Sequence, residues 1–173
     1  TETIWINGLT DMTSVNLKYF ADCKNMDIGE GSISDLSFLK YMPELEVLII
    51  ANNYVNDITE VGNLKKLWYL EIQDPLKGTV SDISPLANCK KLEHLNCGQD
   101  QISDFSPLYG LDGLKRLYCM ENYALTEPEK DAEKERLKEI FPDIEINFGY
   151  GNSVTAGWRF YDWGGVNDTY HYL

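Results

Sequence analysis

The chain has 173 residues, 43% of them hydrophobic and 25% charged, enough for one folded domain with a real core. Its net charge of -13 argues against nucleic acids and anionic membrane surfaces, whose affinity for proteins comes mainly from Lys and Arg. No apolar run approaches the ~18 to 20 residues needed to span a bilayer.

The opening TETIWING carries no initiator methionine and neither the basic nor the apolar region of a signal peptide. It reads as the start of a mature fragment. In residues 1–22 only Ile4, Ile6, Leu17 and Phe20 follow the apolar pattern that becomes regular afterwards, as expected of a degenerate first rung.

From residue 23 to residue 125 the chain repeats itself. SDLSFL (34–39), NDITEV (56–61), SDISPL (81–86) and SDFSPL (103–108) align on Asp35, Asp57, Asp82 and Asp104, with steps of 22, 25 and 22 residues. With Leu45 as position 1 of its unit, positions 1, 4 and 6 read Leu45, Leu48, Ile50, then Leu67, Leu70, Ile72, then Leu92, Leu95, Cys97, then Leu114, Leu117, Cys119. Position 11 is Ile33, Val55, Val80 and Ile102, and position 17 is Leu39, Val61, Leu86 and Leu108. A period in this range signals a solenoid, in which no unit buries its apolar set alone and neighbours share one core.

Positions 4 and 6 alternate with polar neighbours as a short strand does, which predicts stacked parallel strands about 4.8 Å apart. The Asp of each SDISPL-like segment is suited to accept backbone N–H groups at the start of a short helical turn, and Pro85 and Pro107 suit its first positions. That role explains a carboxylate at every rung better than a row of metal or catalytic groups does. Asn53, Asp100 and Asn122 read as ladder residues that bind the turns.

Together these residues spell LxxLxIxxNxIxDIxPLxxL, which resembles the 22-residue leucine-rich repeat of the bacterial internalin family over roughly residues 23 to 125. The resemblance implies an α/β fold: a leucine-rich-repeat solenoid in a right-handed horseshoe, with a parallel sheet on the concave face and short helical turns on the convex face. It also implies a secreted or surface-displayed bacterial protein, extracellular or at the cell surface. The immunoglobulin-like domain and wall anchor frequent in that family are not visible in this sequence.

After the repeats, TEPEKDAEKERLKEIF predicts a helix opened by a capping box of Thr126 and Glu129, with Leu137, Ile140 and Phe141 toward one face. IEINF (144–148) reads as a last strand, so 126–148 form a C-terminal helix–strand cap and 1–148 one leucine-rich-repeat domain. The tail, 149–173, is Gly-rich and aromatic and is expected to pack on the cap. Its GWRFYDW and YHYL also faintly resemble choline-binding wall repeats, so the alternative function is a cell-envelope structural or carbohydrate-binding component using this tail.

Cys23, Cys89, Cys97 and Cys119 all stand where the pattern wants an apolar side chain and read as small buried thiols. A Cys97–Cys119 disulfide is conceivable but poorly oriented on neighbouring parallel strands. His94 and His171, the two histidines, lie in no nucleophile or metal motif, and no phosphate-binding loop is present. No enzyme activity, cofactor or metal is expected.

Function is therefore sought on the strand face that the core does not need. Positions 3, 5 and 7 there, with Trp68 from position 2, supply the candidate partner-binding set: Val47, Ile49, Trp68, Tyr69, Glu71, His94, Asn96, Arg116, Tyr118 and Met120. Apolar and aromatic side chains on neighbouring rungs mark an interaction surface, and Trp, Tyr and Arg dominate binding energies. Three extra residues in QDPLKGTV (73–80) are expected on a rim beside Trp68 and Tyr69. The expected function is a non-enzymatic module that holds a protein ligand on its concave face, with a host or neighbouring-cell surface protein as one such ligand. Replacing Trp68 and Tyr69 together is expected to leave folding nearly intact.

Overall fold

The computed structural model describes residues 2–73, 79–151 and 158. Seven three-residue strands form one sheet in chain order: β1 (Thr3–Trp5), β2 (Asn25–Asp27), β3 (Val47–Ile49), β4 (Tyr69–Glu71), β5 (His94–Asn96), β6 (Arg116–Tyr118) and β7 (Glu145–Asn147). Every neighbouring pair is parallel, in the register set by the repeat: Met26 opposite Leu48, Leu48 opposite Leu70, Leu70 opposite Leu95 and Leu95 opposite Leu117. These leucines and Met26 are buried and belong to one core that runs the length of the solenoid.

On the opposite side the chain returns through short 3-10 turns at Ser37–Tyr41, Thr59–Asn63, Ser84–Asn88 and Ser106–Leu108. Each is opened by the aspartate two residues before it. Asp35, Asp57 and Asp82 accept the backbone N–H of Ser37, Thr59 and Ser84 at 2.8 Å, and Asp104 accepts that of Ser106 at 2.9 Å. These bonds satisfy donors that a helical start leaves without partners. The hydroxyls of Thr59 and Ser106 with these N–H groups, and the Ser84 N–H with its hydroxyl, hold the Asp57, Asp104 and Asp82 carboxyls below the usual aspartate range.

The amide ladder does the corresponding work inside. Asn53, fully enclosed, accepts the Ile33 N–H at 3.0 Å and donates to the Ile28 and Ile50 carbonyls at 3.0 Å. Asp100 accepts the Val80 N–H at 2.9 Å, and Asn122 donates to the Ile102 carbonyl at 2.6 Å. Backbone groups in a buried turn must find partners, and these side chains provide them.

A feature not anticipated from the repeat is left-handed backbone at one fixed place in the units. Glu30, Asn52, Gln99 and Glu121 have φ of 57°, 59°, 65° and 55°. Each stands at position 8, where the chain turns sharply out of its strand. Four non-glycine residues accept this conformation although it costs an L-residue roughly 1–2 kcal/mol. Gln99 Nε2 donates to Glu121 Oε2 at 2.7 Å, tying two of these corners together.

At the N-terminal edge, α1 (Asp11–Ser14) and a 3-10 turn (Val15–Tyr19) form the convex side of the first rung. Asp11 accepts the backbone N–H groups of Ser34 and Asp35 at 2.7 and 2.9 Å, joining that rung to the next. Ile4 and Leu17 are buried as the pattern requires, whereas Ile6, just past the edge strand β1, and Phe20, at the end of the 3-10 turn, are exposed.

At the other end, α2 (Glu127–Ile140) starts at Thr126, whose N–H and hydroxyl both donate to Glu129 Oε2, at 2.7 and 2.6 Å. Leu137 and Phe141 pack into the core, but Ile140, the last residue of the helix, is exposed. Phe148 stacks on Phe105 with ring centres 5.2 Å apart. The four cysteines are buried free thiols, as expected; Cys119 donates to the Cys97 carbonyl at 3.4 Å. Burial pushes the Cys23 and Cys89 thiols up to about 11. Among the described residues no helix is long and apolar enough to cross a membrane.

Candidate functional site: the concave strand face

The strands bring the predicted residues of positions 3, 5 and 7 together on one face, as their shared parity requires, and Trp68 from position 2 packs against them. Val47, Tyr69, His94 and Arg116 are successive register partners across β3 to β6, as are Ile49, Glu71, Asn96 and Tyr118. Their surroundings differ from the expectation. Of the ten residues, Trp68 alone is half-buried; Val47, Ile49, Tyr69, Glu71, His94, Asn96, Arg116, Tyr118 and Met120 are buried rather than solvent-facing.

A residue from the tail contributes to that cover. Trp158 lies on this face with 0% exposure and joins Val47, Ile49, Ala51, Tyr69, Tyr118 and Met120 in a second apolar cluster, separate from the main core. Its ring centre is 5.6 Å from that of Tyr69 and 5.1 Å from that of Tyr118, both tilted rather than stacked. The Arg116 guanidinium sits 4.6 Å from the ring centres of both Trp158 and Tyr118, in cation–π range.

Polar contacts fix the same residue at two points. The indole Nε1–H donates to Glu71 Oε1 at 2.9 Å, and the Trp158 carbonyl accepts from Arg116 Nη1 at 2.6 Å. Glu71 Oε1 also accepts the Tyr69 hydroxyl. On its other side Arg116 meets Glu145 Oε1 at 3.1 Å through Nε and donates to the Tyr118 hydroxyl at 3.2 Å, while Tyr118 donates to Glu145 at 2.6 Å. A buried guanidinium is thus held between a carboxylate, a carbonyl and two aromatic faces. Partnered burial of this kind is what makes a buried charge tolerable.

The architecture thus assembled is a single parallel sheet of short strands backed by 3-10 turns, one rung per repeat. An internalin (InlF) of Listeria monocytogenes matches it with a TM-score of 0.70 at 24% identity, over 87% of this chain and 43% of that one. This chain is an internalin-like leucine-rich-repeat solenoid. A second L. monocytogenes internalin (InlC2) gives a TM-score of 0.58 at 26% identity, over 66% of this chain and 50% of that one. A leucine-rich-repeat protein of Leptospira interrogans gives 0.70 at 22%, over 84% and 36%. The chain therefore spans half or less of each of these structures. No protein-family profile and no curated protein matches it.

Within the solenoid, several predicted residues have structural work. Asn96 accepts the Gly98 N–H at 3.3 Å, and Asp27 and Asn147 accept those of Gly29 and Gly149 at 3.0 and 2.9 Å. A Cβ on Gly29 would lie 3.1 Å from the Ala51 carbonyl oxygen, so a side chain there needs the neighbouring backbone to give by a few tenths of an ångström. His94 packs between Trp68 and Tyr69, with ring centres 5.8 and 6.1 Å away, and burial lowers its pKa to about 4. It is neutral at physiological pH.

Tyr69 is correspondingly not a side chain that can be removed without consequence, which corrects the expectation for the Trp68, Tyr69 double replacement. The residue on this face that sequence reasoning did not place there is Trp158. Its signal was the aromatic tail, but the tail was expected on the helix–strand cap, and Trp158 instead contacts β4 and β6. The remaining tail aromatics and the insertion at 74–78 lie outside the described residues.

Proposed function

We propose that this solenoid is a non-enzymatic protein-interaction module that binds a macromolecular partner on its concave face, at a bacterial cell surface or outside the cell. The observation that carries the proposal is the seat of Trp158. Tyr69, Glu71, Arg116 and Tyr118 grip an aromatic side chain and a main-chain carbonyl that arrive from far along the chain, as a protein-binding cleft grips a ligand residue. The fold shared with the two internalins supports an extracellular setting. Trp5, 63% exposed on β1 and opposite Asp27, extends the same face beyond the covered region, with half-buried Trp68 at its margin.

Capture experiments with host-cell surface and producer-envelope extracts test this, using wild type, a Trp5→Ala/Trp68→Ala variant, and Tyr41→Ala on the convex side as control. A partner held by wild type and Tyr41→Ala, but at least tenfold less by the Trp5, Trp68 variant, supports concave-face recognition. Equal capture by all three overturns it.

A further inference from the structure

The contacts of Trp158 define a ligand. The indole is enclosed between Tyr69 and Tyr118, its N–H is used by Glu71, and its own carbonyl is used by Arg116. Phenylalanine offers no donor to Glu71. Free indole offers no carbonyl to Arg116. The cleft therefore reads a tryptophan within a polypeptide rather than an aromatic ring in general, and it does so with a carboxylate and a guanidinium, groups that make the stronger class of hydrogen bond. The residue it holds is 87 positions from Glu71 and 42 from Arg116, so no local geometry of the repeat forces it there.

We infer that the concave cleft is a receptor site for a tryptophan-bearing polypeptide segment of a partner protein, and that Trp158 is its resident autoinhibitory occupant. The inference rests on the concave-face reading above. A partner presents its own tryptophan to Glu71 and Arg116 once Trp158 has left, and the chain's net charge of -13 favours a basic segment. Because the occupant is tethered, it competes at a high effective concentration and weakens partner binding until displaced.

The probe is a labelled synthetic peptide, SVTAGWRFY, the sequence of residues 153–161, titrated by fluorescence anisotropy into the full chain. Trp158→Ala, shown to be folded by circular dichroism, is expected to bind it saturably, and wild type at least tenfold more weakly. The same peptide with Ala for Trp should lose at least tenfold. No saturable binding to folded Trp158→Ala, or equal binding of the Trp and Ala peptides, overturns the inference and leaves Trp158 a structural buttress. If Trp158→Ala does not fold, the indole N–H resonance of Trp158 in wild type decides. Displacement by excess peptide supports the inference, and a resonance unmoved at millimolar peptide sinks it. Partner capture that depends on Trp5 and Trp68 without peptide binding would defeat this inference alone; peptide binding without such capture would defeat the broader reading alone.

Discussion

Tyr69 donates its hydroxyl to Oε1 of Glu71, two residues further along β4 and on the same side of the sheet. Both side chains are buried, and the same oxygen receives the indole N–H of Trp158. Tyr69→Phe keeps the ring packing and withdraws one donor from a buried carboxylate, which should cost about 1–3 kcal/mol in urea unfolding. An unchanged midpoint would mean that this hydroxyl does not contribute to stability.

Leu95 lies in register between Leu70 and Leu117, and all three are buried in the continuous core. Leu95→Ala should cost about 2–5 kcal/mol, because the stacked rungs on either side cannot collapse into the space. Thermal melting measures it, and an unaltered curve would refute the register.

His94 supplies a pH dependence. Burial is the main cause lowering its folded pKa to about 4; Glu93 and Glu145 oppose the shift, while Arg116 and Lys115 reinforce it. The unfolded histidine, near 6.5, takes a proton that the folded one refuses. Stability from this group is therefore full above about pH 6.5 and falls as pH drops toward 4, by up to about 3 kcal/mol. His94→Gln should flatten the stability profile between those values; a profile as steep as wild type would assign the slope to other groups.

Asp104 opens its turn through the Ser106 N–H, and its hydrogen bonds to Ser106 lower its pKa. Asp104→Ala should lose roughly 0.5–2 kcal/mol, and Asp104→Asn less, since the amide oxygen still accepts. The contribution of Asp104 is present above the unfolded aspartate pKa of about 3.9 and is lost as pH falls through its lower folded value. Chemical denaturation of both variants at pH 7 and pH 3 checks the order and the sign.

Gln99, at φ of 65°, gives a backbone test. Gln99→Val should cost at least about 1–2 kcal/mol, because a β-branched side chain tolerates the left-handed region poorly, whereas Gln99→Gly should be near neutral. Equal losses for both would place the cost in the Glu121 hydrogen bond instead.

The rungs were legible because every unit repeats one physical problem. A buried leucine column, an aspartate at the turn and an amide inside it recur at the same spacing, and each solves burial or hydrogen bonding locally. Ile140 and the left-handed corners were not legible in this way. The helix's orientation on the core decided the first, and the angle at which the chain leaves each strand decided the second.

By itself the sequence determined the solenoid, its register, the capping turns, the buried thiols and which side chains share the concave face. These follow from periodicities of two and 22 residues, which any regular stack of short strands must express. Only the tertiary structure decided that the face is covered, that His94, Glu71 and Arg116 are buried, and that Trp158 provides the contact between Glu71 and Arg116. Trp158 stands outside the repeat, so no period announces its contacts. The place of Trp158 depends on matching one indole and one carbonyl to groups on two separate rungs, Glu71 on β4 and Arg116 on β6.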